Sequence, residues 1–290
     1  MSKTKKDKLT IPCAYQGGKS RIAKDIVDIF YKENEINEDT KFYDLCCGSG
    51  SVSIELINRG IKAENIKMLD KSVWGSFWQS ISDGSFDINI FNTYINEIPK
   101  NVSEIQKHVK YIYSQPANID TVYKFLILQA SSFGSKAIWL KNKNEWCTSS
   151  FRSYWTPTKT SNRKSPVNPM MPMPNTLLER VKMILDKMDN IKAVCTDIND
   201  LSIPENNSII YIDPPYQNTS GYGYDFNIID YVHKLQQSAK INKMKIKVYV
   251  SEGRKLSENS HLISEGRKKG GISGDRNNNK INQEWLNVFD

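Results

Sequence analysis

The sequence has few of the features that mark secreted, metal-bound or membrane proteins. Its five cysteines (Cys13, Cys46, Cys47, Cys147 and Cys195) are odd in number and never fall in a CxxC spacing. That pattern argues against both a disulfide framework and a zinc site. The three histidines (His108, His233 and His261) are scattered without metal-ligand spacing, so no metal is expected. No apolar run approaches the length of a membrane span, and the opening "MSKTKKDKLT" lacks the apolar stretch of a signal peptide. No internal repeat is visible. The expectation is a soluble cytoplasmic protein with reduced thiols and no membrane partner.

What is present is an ordinary globular apolar content, 39% of 290 residues, and a formal net charge of +8. The length allows one large core, or one core with an inserted lobe. The positive charge is unevenly placed. Between Gly134 and Ser165 lie Lys136, Lys141, Lys143, Arg152, Lys159, Arg163 and Lys164, against the single acid Glu145. A solvated surface is the usual fate of such a run. The same stretch holds Trp139, Trp146, Phe151, Tyr154 and Trp155, and cations interleaved with aromatics suit a polyanion that also offers flat bases. Arg152, Arg163 and Lys164 are the candidates for nucleic-acid contact, arginine being the residue best suited to guanine edges.

Apolar spacing sets the organisation. Lys41 to Leu45 reads as a strand running into "CCGSG", Ser51 to Arg59 as a helix stopped by Gly60, and Ile66 to Leu69 as a second strand ending at Asp70. That rhythm then lapses. Helices are expected over Val102–Ser114 and Thr121–Ser132, the second opened by Asp120 as N-cap. The proline-rich "SPVNPMMPMPN" excludes regular structure, and Thr176 with Glu179 fits a capping box opening a helix that reaches about Met188. Strands resume at Ile191–Cys195, Ser208–Ile212 and Lys245–Val250, with a helix near Ile228–Lys240 and a closing strand at Trp285–Phe289. The pattern is an α/β sheet interrupted by an irregular basic insertion, roughly residues 75 to 189.

Three stretches carry chemistry. In "DLCCGSGSVSIEL", Gly48 and Gly50 allow a sharp turn and close approach to a ligand, and the following helix presents free N–H groups. Asp44 at the strand end can accept hydrogen bonds or meet a cation, and Asp70 is placed to bind ribose hydroxyls, as acids do in dinucleotide folds. Ser53 breaks the full GxGxxG pattern, and a structural left-handed turn would account for the glycines equally well. "AYQGGKSRIA" is a second glycine-rich turn opening a helix, or a plain surface turn with a solvated lysine. The third stretch is "IIYIDPPYQN". Here a buried strand ends on a carboxylate, and Pro214-Pro215 fixes φ while offering no N–H. The carbonyls of Asp213 and Pro214 and the Asp213 carboxylate form a rigid cluster of acceptors beside the flat ring of Tyr216. Such a cluster suits the exocyclic amino group of a planar base. Strand carboxyl ends are also where open α/β folds place their sites.

In their order, "AYQGGK", "DLCCGSGS", "MLD", "VCTDI", "IIYIDPPY" and "KVYVSE" resemble the Dam-type (DPPY) family of DNA adenine-N6 methyltransferases, particularly its phage members. The resemblance covers about residues 14–70 and 190–252, more weakly the tail. It implies a doubly wound, mostly parallel, Rossmann-like α/β sheet with an inserted, mainly helical target-recognition domain. Residues 1–74 and 190–290 would then form the catalytic domain and residues 75–189 the insertion. It also implies S-adenosylmethionine as cofactor and double-stranded DNA as partner, with no indication of oligomeric state. Tyr15 and Lys19 would contact the cofactor, Asp70 its ribose and Asp197 its adenine pocket. Asp213, Pro214, Pro215 and Tyr216 would form the catalytic motif, with Asp213 between cofactor and target amine. Tyr15 stands where tryptophan is common, Cys46 where phenylalanine is typical, and "MLDKS" lacks the usual Asn before the acid. The competing readings are the same chemistry on RNA adenine or cytosine-N4, and a catalytically silent nucleic-acid binder. Cys13, despite the Pro-Cys pair, reads as a buried strand residue rather than a nucleophile.

Overall fold

The computed structural model describes residues 8–118, 120–142, 144–147, 149–151, 172–201, 204–214, 227–265 and 283–290. Among the described residues the framework, most deeply buried at its centre, is a sheet of seven strands. In chain order these are β1 (Lys41–Leu45), β2 (Ile66–Asp70), β5 (Lys192–Cys195), β6 (Ser208–Ile212), β7 (Ile246–Glu252), β8 (Ser260–Ser264) and β9 (Glu284–Phe289). Between β2 and β5 a short antiparallel pair, β3 (Leu140–Asn142) and β4 (Glu145–Trp146), stands apart. The spatial order is β5-β2-β1-β6-β7-β9-β8. The first five strands run parallel, and β9 runs antiparallel to β7 and to β8.

All five residues of β6 are buried because helices cover both sides of it. Period-two alternation divides the strands between two cores. Phe42, Met68, Ile209, Tyr211 and Tyr249 face a layer containing α1 (Ala23–Glu33) and α2 (Ser51–Asn58). Tyr43, Leu45, Leu69, Ile210, Ile212, Val248 and Val250 face α8 (Ile228–Ile241), which presents Ile228, Tyr231, Val232 and Leu235. This is a doubly wound sheet. From β1 the chain steps outwards to β2 and β5, then returns to β6 and proceeds the other way. The order therefore reverses between β1 and β6, where such folds open a crevice at the strand ends.

The stretch between β2 and β5 is mostly helical where described. It contains α3 (Val73–Ser82), α4 (Ile88–Asn96), α5 (Val102–Ser114), α6 (Thr121–Ser131) and α7 (Pro174–Lys187). These helices belong to the same apolar cluster as the first sheet face. α3 is stitched to β5 by the Ala193 N–H to Ser82 Oγ (3.0 Å) and the Cys195 N–H to Gln79 Oε1 (2.8 Å). An edge-on contact between Trp74 and Phe125 joins α3 to α6, and Phe77 packs edge-on to Trp74 within α3.

Four local expectations fail. Asp120 precedes α6 without capping it, because its carboxylate accepts from Tyr94 Oη at 3.0 Å. α7 starts at Pro174, two residues before Thr176, with no side-chain cap, and Glu179 pairs with Lys182 at 3.0 Å instead of closing a capping box. Cys13 is buried as expected but lies outside any strand, and burial pushes its thiol up to about 12. Of the aromatics in the basic segment, Trp146 and Phe151 are buried packing residues, with the Trp146 indole N–H on the Gln115 carbonyl (3.2 Å). No helix among the described residues is long and apolar enough to cross a membrane.

Candidate active site

The crevice at the reversal point gathers side chains from distant parts of the sequence. β1 and β6 end together, and the Asp213 N–H donates to the Leu45 carbonyl at 3.1 Å. After Leu45 the chain turns through Cys46 (φ 58°), Gly48 (φ 48°) and Gly50 (φ 71°) into α2. Gly50 is fixed by packing as well as by φ, since a Cβ there would lie 2.4 Å from Trp78 Cζ2 and 2.8 Å from Met68 Cε. The Trp78 indole N–H donates to the Gly48 carbonyl at 2.8 Å, holding the turn from below.

Asp70 closes the other side of the turn. Its Oδ2 accepts from the Gly48 N–H (2.8 Å), and its Oδ1 accepts from the Ser72 N–H (2.7 Å) and hydroxyl (2.6 Å). Ser72 in turn caps α3 through its Oγ. One carboxylate thus joins the end of β2, the glycine turn and the start of α3. Tyr15 lies on the same turn: a Cβ on Gly48 would meet its Cε1 at 3.1 Å, and its ring stands edge-on to Trp74 at 5.7 Å.

Asp44 is only 2% exposed and points into the first core. Its Oδ2 accepts from the Ser53 N–H (3.2 Å) and hydroxyl (2.6 Å), tying β1 to the first turn of α2. Burial raises the carboxyl to about 7; the Ser53 bonds counter this, while nearby Asp213 and Asp70 add to it.

Lys19 is buried, with its ammonium 2.6 Å from Asp213 Oδ1 and 3.6 Å from Glu284 Oε1. It also donates to the Gly17 carbonyl at 3.2 Å. Burial alone would lower its pKa, but the attraction of Asp213 and Glu284 outweighs that and the net shift is upward. Asp213 is raised to about 6 by burial, with Lys19 pulling it down and Glu284 and Glu252 pushing it up. It is therefore a carboxylate at neutral pH, with its proton affinity close to that range. Pro214 beside it is buried.

Asp197 lies at the end of β5, on the far side of Asp70. It accepts from Lys71 (2.7 Å) and from the Asn199 backbone (3.0 Å) and side chain (2.8 Å), which hold its carboxyl below the usual range. Tyr15, Lys19, Gly48, Gly50, Asp70 and Asp213 are therefore gathered at one crevice. Asp44 supports that crevice from below, and Asp197 flanks it. Pro215, Tyr216, Arg152, Arg163 and Lys164 lie outside the described residues. Sequence reasoning missed Ser53, Trp78, Glu252 and Glu284. Glu252 closes the quoted "KVYVSE", but no spacing in the sequence ties it or Glu284 to Lys19. Among the described residues no group of three or more His, Cys, Asp or Glu side chains forms a metal site.

A family profile described as "D12 class N6 adenine-specific DNA methyltransferase" matches residues 15–270. The chain belongs to this family. It is an S-adenosylmethionine-dependent enzyme that methylates the N6 amino group of adenine at specific sites in DNA. No curated protein sequence matches the chain. The match spans both the glycine turn at β1 and the end of β6, so the crevice lies within the part that defines a D12 methyltransferase.

Proposed function

We propose that this crevice is the methyl-transfer site, that Asp213 is the residue acting on the adenine amine, and that the substrate is double-stranded DNA. The observation that carries the reading is the Lys19–Asp213 pair at the reversal point, directly beside the glycine turn. The residues suit S-adenosylmethionine. The turn brings an aromatic ring, Tyr15, against Gly48, and the crevice is rich in carboxylates facing a ligand with a positively charged sulfur. Tyr15 and Gly48 would line the methionine side, Asp70 would accept from the ribose, and Asp197 would border the adenine pocket. Gly50 keeps the turn tight. Lys19 acts chiefly by holding Asp213, and Asp44 acts through Ser53, as a positioning residue.

The bound cofactor supplies a methyl group already activated for transfer. The chain's own work lies on the acceptor side. The adenine amine shares its lone pair with the ring and is a poor nucleophile. An ionised Asp213 and the Pro214 carbonyl accept hydrogen bonds from its two hydrogens, draw the lone pair towards tetrahedral geometry and offset the developing positive charge. When the nitrogen has gained its carbon it must lose one proton, and Asp213 is the adjacent base. The base cannot be reached inside a duplex, so it flips out, with Tyr216 as its stacking partner. On the DNA side, Arg152, Arg163 and Lys164 remain the proposed contacts. Phe133 joins them, being 59% exposed on a turn whose Ser135 carbonyl accepts from the Gln16 N–H beside Tyr15. The insertion of residues 75–189 is the proposed target reader, and the cytoplasm, where DNA is accessible, the proposed location.

The test is Asp213→Ala. Lys19 keeps Glu284 as a partner in this variant, so the fold should survive. Turnover should fall by about 100-fold or more, the scale of a lost acid–base or charge-stabilising group. Cofactor and DNA binding should persist. Near wild-type turnover in a folded protein would remove Asp213 from the mechanism.

A further inference from the structure

Lys19 is shared. Besides Asp213 it faces Glu284 at 3.6 Å, and both acids are largely buried, with side chains 17% and 16% exposed. A third acid, Glu252, is 6% exposed at the end of β7. The register explains the gathering. Ile212 pairs with Val250, and Glu252 with Trp285, so Asp213, Glu252 and Glu284 project from three adjacent strand ends. Glu252 Oε1 accepts from the Gly253 N–H at 2.8 Å. Asp213 and Glu284 thus meet at the Lys19 ammonium, with Glu252 buried on the strand between them.

Resting on the assignment of Asp213 above, we propose that Glu284 and Glu252 are positioning residues for catalysis: by competing for Lys19 and facing Asp213, they hold it as a base able to receive the proton released from the methylated amine. The proton balance is simple. The amine gains one bond to carbon and loses one to hydrogen, and that proton passes to a carboxylate that Lys19 would otherwise keep too weakly basic. Burial, opposed by Lys19 and reinforced by Glu284 and Glu252, accounts for the upward displacement of Asp213. Glu252 is itself raised, first by burial, with Glu284 adding to it and Lys19 and Arg254 opposing. The other titratable groups around Asp213 are Asp44 on β1, Cys46 after it and Tyr211 on β6, all raised mainly by burial. Asp70 at the end of β2 faces Asp44 and Cys46 across the same crevice.

The test is single-turnover methylation of duplex DNA against pH, at saturating S-adenosylmethionine, for the wild type, Glu284→Gln, Glu252→Gln and Glu284→Asp. The wild-type rate should fall as pH drops through about 6. Neutralising either glutamate removes a charge that raises Asp213, so the acid limb should move to lower pH by about half a unit or more. Glu284→Asp keeps the charge and should keep the limb. Glu252→Gln carries the test if Glu284→Gln fails to fold. A lower rate with an unmoved limb in folded variants would overturn the proposal while leaving Asp213 in place. A wild type with no acid limb near pH 6 would overturn both it and the Asp213 assignment.

Discussion

Asp44 and Asp213 lie on neighbouring strands and meet different company. Asp213 has an ammonium at 2.6 Å, whereas Asp44 accepts from the amide and hydroxyl of Ser53. Burial raises the Asp44 carboxyl to about 7, with the Ser53 bonds opposing. A carboxyl raised on folding binds its proton more readily in the native state, so its ionisation costs stability increasingly from about pH 4 to about pH 7, and fully above. Asp44→Asn removes that cost while still accepting from Ser53. Its Tm should therefore exceed the wild-type value by more at pH 8 than at pH 5. An equal difference at both pH values would show that Asp44 does not carry this charge penalty. At this scale the sequence was partly legible. The strand end is the legible part: a buried strand runs to Ile212, and the carboxylate that follows it meets Lys19. Asp44, expected to accept hydrogen bonds or meet a cation, accepts from Ser53 on the inner face of β1. That orientation depends on which face of β1 carries even-numbered residues, which a five-residue strand buried on both faces does not declare. Glu284 and Glu252 were illegible because their meaning arises only from the register of β7 and β9.

Among the elements, the glycine turn between β1 and α2 carries the most constraint. Gly50→Ala would place a methyl group against the Trp78 ring in a left-handed backbone conformation. The two penalties together come to about 2 to 5 kcal/mol, a large share of a typical domain's stability. The variant should melt well below the wild type, and methylation should suffer even at temperatures where it remains folded. A melting temperature within a degree of wild type would show that Trp78 moves aside without cost. Six strands (β1, β2, β5, β6, β7 and β9) and most helices are readable from apolar spacing, whereas β3, β4, β8, α3 and α4 are not anticipated. α6 starts at Thr121 as expected, but the cap expected from Asp120 and the start expected at Thr176 both fail, for different local reasons. Tyr94 claims the Asp120 carboxylate, and Pro174 begins α7 without a cap because its missing N–H is one of those left unpaired at any helix start.

At the scale of the whole molecule, the interrupted α/β rhythm anticipates an α/β sheet, and the family resemblance its doubly wound order. It did not anticipate that the helices following β2 would share the sheet's own core. The boundary expected near residue 75 falls inside α3, whose Trp74, Phe77 and Trp78 are among the largest fully buried side chains. Composition cannot reveal this, because a helix packed on a sheet and a helix packed in a separate lobe need the same apolar stripe. The same ambiguity affected the basic segment, where Trp146 and Phe151 serve packing and cannot serve bases. The reach of the molecule is thus one crevice, fed by distant sequence, opening where the strand order reverses. Its central claim is tested most directly by incubating the purified protein with methyl-labelled S-adenosylmethionine and, separately, duplex DNA, single-stranded DNA and RNA, then digesting each and identifying the labelled nucleoside. The expected label is in N6-methyldeoxyadenosine, chiefly from the duplex, with none from the Asp213→Ala protein. Label in cytosine or confined to RNA, or equal labelling by the Asp213→Ala protein, would contradict it.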